Sequence, residues 1–179
     1  MIIENIEKVI LVDENDNPLG EIEKIEAHKK ALLHRAFSIF IFNDRDELML
    51  QQRAAHKYHS PELWTNTCCS HPKPGETLSE AAHRRLPQEM GFDCKMEKIF
   101  DFIYKAKLDK DLTEHEFDHV FFGRYNKSPH INREETGKWK WMKMEDIDDD
   151  MKTQPENYTV WFRLAFQKVY DYLSDQKGQ

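Results

Sequence analysis

The stretch Asn66–Phe92, NTCCSHPKPGETLSEAAHRRLPQEMGF, decides how the rest of the chain is read. Cys69 and His71 stand two residues apart on a segment expected to be extended, and alternate residues of a strand project to the same side, so thiol and imidazole face one space. A turn at Lys73–Gly75 leads into a predicted helix. Thr77 and Glu80 have the spacing of a capping box, Leu78, Ala82, Leu86 and Met90 recur every four residues as an apolar stripe, and Gly91 suits the helix C-cap. Pro87 is out of place there: inside a helix it removes a backbone hydrogen bond and clashes with the preceding turn, at about 3 kcal/mol. The sequence predicts either a bend at Pro87 or an irregular last turn. The unit is a Cys/His loop running into a helix that carries Arg84, Arg85 and Glu89.

Measured back from Gly91, Ser70–Phe92 has the length of a Nudix box, G-x5-E-x7-R-E-U-x-E-E-x-G-U, with U a bulky aliphatic residue. Glu76, Arg84, Leu86, Glu89 and Gly91 match it, and Phe92 places an aromatic at the last U. Ser70 replaces the first glycine, while Arg85 and Gln88 replace two of the acids with which Nudix hydrolases gather metal. The preceding residues, WTNTCCSHPKPGE, resemble the W-T-N-x-x-C-x-H-P segment of the type I isopentenyl-diphosphate isomerases, which use a degenerate Nudix scaffold. The resemblance extends over roughly Val9 to Tyr172. It implies an α/β (α+β) fold, a Nudix-like α/β/α layered arrangement with a mixed sheet, and residues 1–179 as a single domain.

Composition agrees with a globular protein. Of 179 residues, 39% are hydrophobic and 33% charged, enough for one substantial core. Lys and Arg number 26 against 33 Asp and Glu, a formal net charge of −7. That argues against general nucleic-acid binding, because phosphate backbones favour basic surfaces, yet allows a small anionic substrate where a few cations cluster. The start, MIIENIEKVI, is too short and too acidic for a signal peptide, and no apolar run is long enough for a membrane span. Three cysteines, two of them adjacent, form no disulfide framework, so the expected compartment is the cytoplasm. A monomer is the default expectation.

Along the chain, Ile6–Val12 and Leu19–Ile25 read as a first hairpin about the turn DENDNPLG. Ala36–Phe42 is apolar on both faces, as a buried central strand is, and Leu48–Arg53 closes a second hairpin. Lys98–Lys107 and Glu116–Tyr125 read as paired strands and Lys138–Met144 as another. Glu145–Asp150 reads as an acidic turn or short helix, and Glu156–Leu173 as an amphipathic C-terminal helix.

Glu114 and Glu116 alternate at the start of a strand, so both carboxylates point one way, and two such acids repel unless a cation lies between them. By themselves they are better read as a solvated edge-strand face. The isomerase resemblance implies that His28, His34, His71, Glu114 and Glu116 are ligands of one metal site. A mixed N/O set of this kind suits Mn²⁺ or Mg²⁺, with Zn²⁺ as an alternative, and five protein ligands favour six-coordination over a tetrahedral structural site. His56, His59, His83, His115, His119 and His130 are left without a role and are expected mostly at the surface.

The same resemblance implies a catalytic Cys69 and a catalytic Glu116 with Tyr104 as its hydrogen-bonding partner. It also implies a Trp161 whose ring face meets a carbocation, an interaction of about 2 kcal/mol when desolvated. Lys24, Arg53, Lys57 and Arg85 match the positions that hold the diphosphate, and Glu89 matches a ligand of substrate-bound Mg²⁺. Cys68 is expected to be a small buried hydrophobe. The implied activity is the 1,3-allylic rearrangement of isopentenyl diphosphate to dimethylallyl diphosphate in isoprenoid biosynthesis. The rival readings are a Nudix hydrolase, opposed by Arg85 and Gln88, and a metal- or diphosphate-binding module without catalysis, opposed by the joint presence of Cys69, Tyr104, Glu116 and Trp161.

Overall fold

The computed structural model describes residues 6–177; Met1–Asn5, half of the segment read above for a signal peptide, lie outside them. Its centre is β3 (His34–Phe42), a strand buried on both faces: Phe37, Ile39 and Ile41 point to one side and Phe40 and Phe42 to the other, all fully buried. β8 (Thr113–Arg124) pairs with β3 in parallel, from His34 opposite Glu116 to Phe42 opposite Arg124. β7 (Met96–Lys107) pairs antiparallel with β8. On the other edge of β3, β6 (Cys68–Ser70) pairs antiparallel, setting Cys69 opposite Ser38. β1 (Lys8–Val12), β2 (Pro18–Glu23), β4 (Glu47–Arg53), β5 (Trp64–Thr65) and β9 (Thr136–Lys143) complete a mixed sheet of nine strands among the described residues.

Helices cover both faces. α2 (Leu78–Met90) packs Ala81, Ala82, Leu86 and Met90 against Phe37, Ile39 and Ile41. α3 (Met144–Thr153) and α4 (Val160–Lys177) close the opposite face, where Trp161, Phe162, Ala165, Phe166 and Val169 meet Phe40, Phe42, Leu50 and Val120. The α/β/α layering is therefore as expected. No helix among the described residues is long and apolar enough to cross a membrane.

α2 forms as its sequence dictates. The Thr77 hydroxyl accepts the Glu80 amide while the Glu80 carboxylate accepts the Thr77 amide, satisfying two donors that a helix start leaves open. Gly91 ends it at φ 73°, its amide donating to the Pro87 carbonyl. Pro87 does not break the helix. A Cβ at Gly91 would lie 2.1 Å from the His130 carbonyl oxygen, so glycine is needed both for the left-handed backbone and for the close passage of the β8–β9 connection.

Three expectations need correction. The second extended segment stops at Glu23, and Lys24–Lys29 form a short helix, α1, which turns Lys24 and His28 inward. β4 makes only one registered pair with β3, Phe42 opposite Leu48, and otherwise runs beside β9; the tight turn suggested a full hairpin, but the strands diverge after it. His59 and His119 are buried rather than superficial. His119 is enclosed against Phe117 and Asp16, on the sheet face away from the site.

Candidate active site

A cavity of about 570 Å³ opens where the first residues of β8 meet β6, the end of β4, α1, α2 and the Ala54–Leu63 segment. Beside it lies an imidazole cluster, of which His28 and His71 line the cavity and His34 is fully buried. His28 comes from α1, His34 from the first position of β3, and His71 from the residue just past β6. Their ring centroids lie 5.1–6.1 Å apart. Glu116 completes the group, with Oε1 2.9 Å from His71 Nε2 and 3.5 Å from His34 Nε2. Each residue offers one ligand atom, and these atoms all lie within 4.8 Å of one another.

The donor set fits a divalent cation. His34 Nδ1 donates to the Leu32 carbonyl at 2.8 Å, which leaves the Nε2 lone pair facing the cluster. His28 Nδ1 is 3.1 Å from the Tyr58 hydroxyl, and its Nε2, like that of His34, is buried without a hydrogen-bond partner. Burial, then the neighbouring His71 and His34, pull His28 down to about 3, so it stands as the neutral ligand a metal requires. Burial likewise lowers His71. Against the opposing effect of burial, the His71 ring at 2.9 Å and the nearby His34 hold Glu116 well below the carboxylate range.

Glu114 stands one step away from the four. It shares the inward face of β8 with Glu116, as the alternation of a strand requires, and the two are joined by the Tyr104 hydroxyl, 2.8 Å from Glu114 Oε2 and 2.7 Å from Glu116 Oε2. A hydroxyl has one hydrogen to give, so two anionic carboxylates around it need a further proton or cation close by. Burial, then the charge of Glu116, push Glu114 well above its usual range.

Cys69 and Trp161 line the same cavity. Burial, then Glu89, push the Cys69 thiol up, which favours the thiol over the thiolate. Cys68, turned the other way by strand alternation, is fully buried in the core beneath α2, as expected. Lys24, Arg53, Lys57, Arg85 and Glu89 also line the cavity, each already engaged. Lys24 pairs with Glu7 at 3.0 Å, Lys57 with Glu135, and Arg85 with Glu89 at 2.5 Å. Arg53 donates to the His59 and Ser60 carbonyls and lies over the Trp161 ring at 5.3 Å. Gln51 Nε2 holds the second Glu89 oxygen at 2.8 Å.

A NUDIX domain model matches residues 32–162. Relatives named isopentenyl-diphosphate Delta-isomerase include one from Pectobacterium atrosepticum, 49% identical over 172 residues and covering 96% of each chain. Another, from Aromatoleum aromaticum and named isopentenyl-diphosphate Delta-isomerase 2, is 49% identical over 91% of this chain and 86% of its own. The chain belongs to the isopentenyl-diphosphate Delta-isomerase family, within the NUDIX fold. Solved structures show that fold again: a Deinococcus radiodurans protein superposes with a TM-score of 0.69 at 18% identity, over 82% of this chain and 90% of its own. A MutT protein from Methanosarcina mazei gives 0.65 at 18% identity, over 78% and 94%. At that identity the likeness concerns the fold alone.

Within this family framework two Nudix-box acids remain, and they differ in placement. Glu76 is taken by Arg84 in a two-point pair at 2.6 and 2.8 Å and is absent from the cavity wall, whereas Glu89 lines it. Sequence reasoning missed His59, whose ring stands edge-on to Trp161 at 5.8 Å, with Nε2 3.9 Å from Glu114 Oε1. It missed Tyr58 at His28, and the acids Glu7 and Glu135 as well. The one available signal was the aromatic and imidazole pair in KYHS, next to the basic Arg53 and Lys57.

Proposed function

We propose that the chain interconverts isopentenyl and dimethylallyl diphosphates by protonation and deprotonation at carbon. The observation that carries this reading is one cavity lined by a thiol (Cys69), a hydroxyl–carboxylate pair (Tyr104 and Glu116) and an indole (Trp161), with Lys24, Arg53, Lys57 and Arg85 among its lining residues. Such a set can move protons and bind an anion without attacking phosphorus.

Lys24, Arg53, Lys57 and Arg85 hold the diphosphate, which anchors the hydrocarbon end toward Cys69 and Trp161. One member of the Cys69 and Glu116 pair delivers a proton to the terminal methylene carbon. The tertiary cation that results has no hydrogen-bonding capacity, and the Trp161 ring stabilises it through its quadrupole. The other member removes a proton from the carbon nearer the diphosphate, and the double bond re-forms there. The proton gained and the proton lost balance, and every phosphate bond stays intact.

His28, His34, His71 and Glu116, with Glu114 beside them, would hold Mn²⁺ or Mg²⁺, or Zn²⁺, which when bound offsets the paired carboxylate charge and tunes Glu116 for proton transfer. Glu89 would receive a substrate-borne Mg²⁺. Tyr104 orients Glu116 through its 2.7 Å hydrogen bond and can carry its proton. The whole chain acts as one catalytic unit, a monomer in the cytoplasm, with a small diphosphate rather than nucleic acid as its partner.

The deciding experiment is turnover in D₂O. Deuterium should enter the allylic carbons of substrate and product while no phosphate is released. Loss of substrate matched by phosphate or pyrophosphate release, with no deuterium at carbon, would overturn the reading in favour of hydrolysis. Glu76, locked to Arg84 outside the cavity, argues against that outcome.

A further inference from the structure

Glu135 sits in the turn between β8 and β9, and this turn is closed by its own hydrogen bonds and fastened to two neighbours. The Asn132 amide donates to the Glu89 carbonyl at the end of α2 at 2.9 Å. The Glu135 and Thr136 amides both donate to the Asn132 carbonyl, at 3.0 and 2.8 Å. The Glu135 carbonyl accepts the Ala54 amide at 3.1 Å, just where β4 gives way to the segment bearing Lys57. The side chain, 22% exposed, reaches the cavity wall and bonds Lys57 Nζ through Oε2, while Oε1 lies 3.4 Å from Arg85 Nη2. Arg85 in turn bonds Glu89, and Glu89 bonds Gln51. Charges therefore alternate along the wall: Lys57, Glu135, Arg85, Glu89.

This pattern is unusual for a plain anion site. A cradle built only to attract phosphate leaves its cations free, yet here two of them share one carboxylate and Lys24 is neutralised by Glu7. A bare diphosphate brings negative charge alone and must lie against Glu135 and Glu89 in a partly desolvated wall, where like charges repel strongly. A diphosphate carrying a divalent cation presents its oxygens to Lys57 and Arg85 and its metal to the carboxylates. We propose that Glu135 is a specificity-determining residue, which sets the cradle to accept the magnesium complex of the diphosphate and to reject the free anion. The inference rests on the proposed diphosphate role of Lys57 and Arg85.

The test is calorimetric titration of the intact protein with inorganic pyrophosphate, with and without added Mg²⁺. The wild type should prefer the Mg²⁺ complex by about tenfold or more, the size of effect that one uncompensated, partly buried charge produces. In Glu135→Gln, and in Glu135→Ala as a second neutral variant, free pyrophosphate should bind more tightly, so that the preference falls to about one-fifth or less of its original value. Glu135→Asp, which keeps the charge, should retain it. An unchanged preference in neutral variants that melt like the wild type would overturn the inference and leave Glu135 a spacer between Lys57 and Arg85. Failure of the wild type to bind pyrophosphate in either form would overturn the cradle itself, and the inference with it.

Discussion

His34 and Glu116 face each other as register partners on two parallel strands, with His34 Nε2 3.5 Å from Glu116 Oε1. One strand pairing thus brings together a nitrogen and an oxygen donor that neither strand could offer alone, and His71 and His28 approach the same point from two other elements. The Nε2 atoms buried without hydrogen-bond partners on His28 and His34 make the site costly to leave without a cation.

Metal removal should therefore cost both activity and stability. Thorough chelation is expected to abolish turnover, with Mn²⁺ or Mg²⁺ restoring it, and to lower the melting temperature, since a ligand bound only by the folded state stabilises it by mass action. Full activity in protein shown metal-free by elemental analysis would remove the site from the mechanism.

The adjacent cysteines should behave in opposite ways. Cys69→Ala is expected to lower turnover by ~10²–10⁴-fold, the range for a lost acid–base group, with fold and metal content retained. Cys68→Ala, on the face packed beneath α2, should leave turnover near wild type and cost about 1 kcal/mol of stability in denaturant titration. The reverse ranking would reassign the catalytic thiol.

At Trp161 the ring face, not the bulk, should matter. Trp161→Phe should keep more activity than Trp161→Leu, and the Leu variant should fall by roughly 30-fold, as expected for losing ~2 kcal/mol of cation–π stabilisation. Equal losses in variants of equal stability would mean that Trp161 serves only to pack α4 against β3.

Gly91→Ala should destabilise the fold by at least about 1–2 kcal/mol through the left-handed backbone alone, and by more because the new Cβ meets the His130 carbonyl. The strain lies where α2 touches the connection that holds Glu135, so pyrophosphate affinity should fall as well. A thermal melt and a titration on one preparation check both.

Much of this was legible in the sequence because local rules governed it. Thr77 with Glu80 and Gly91 set the two ends of α2, and the two-residue period of β8 turned Glu114 and Glu116 to one side. Lys24 was misread because Leu19–Ile25 has strand-like composition, and a six-residue helix leaves almost no periodic signal. His59 was missed for another reason. Its burial depends on Trp161, about a hundred residues later in the chain, and on Arg53 bonding its carbonyl; no local pattern records such a partner. Glu135 carried no signal either, since an acid in a polar turn is ordinarily solvated.

The parallel pairing of β3 with β8 also sets an order of events during folding. Ser38 and Asp118, joined across these strands, are eighty residues apart in sequence, and contacts of such separation close slowly because the intervening chain must first surrender its freedom. α2 with its capping box and the β7–β8 hairpin are local and can form early. The His/Glu cluster cannot, because His34 and Glu116 meet only once β3 and β8 have aligned. A nascent chain holds scattered imidazoles and carboxylates but no chelate, so capture of an ion by this cluster would mark the completion of this long-range pairing.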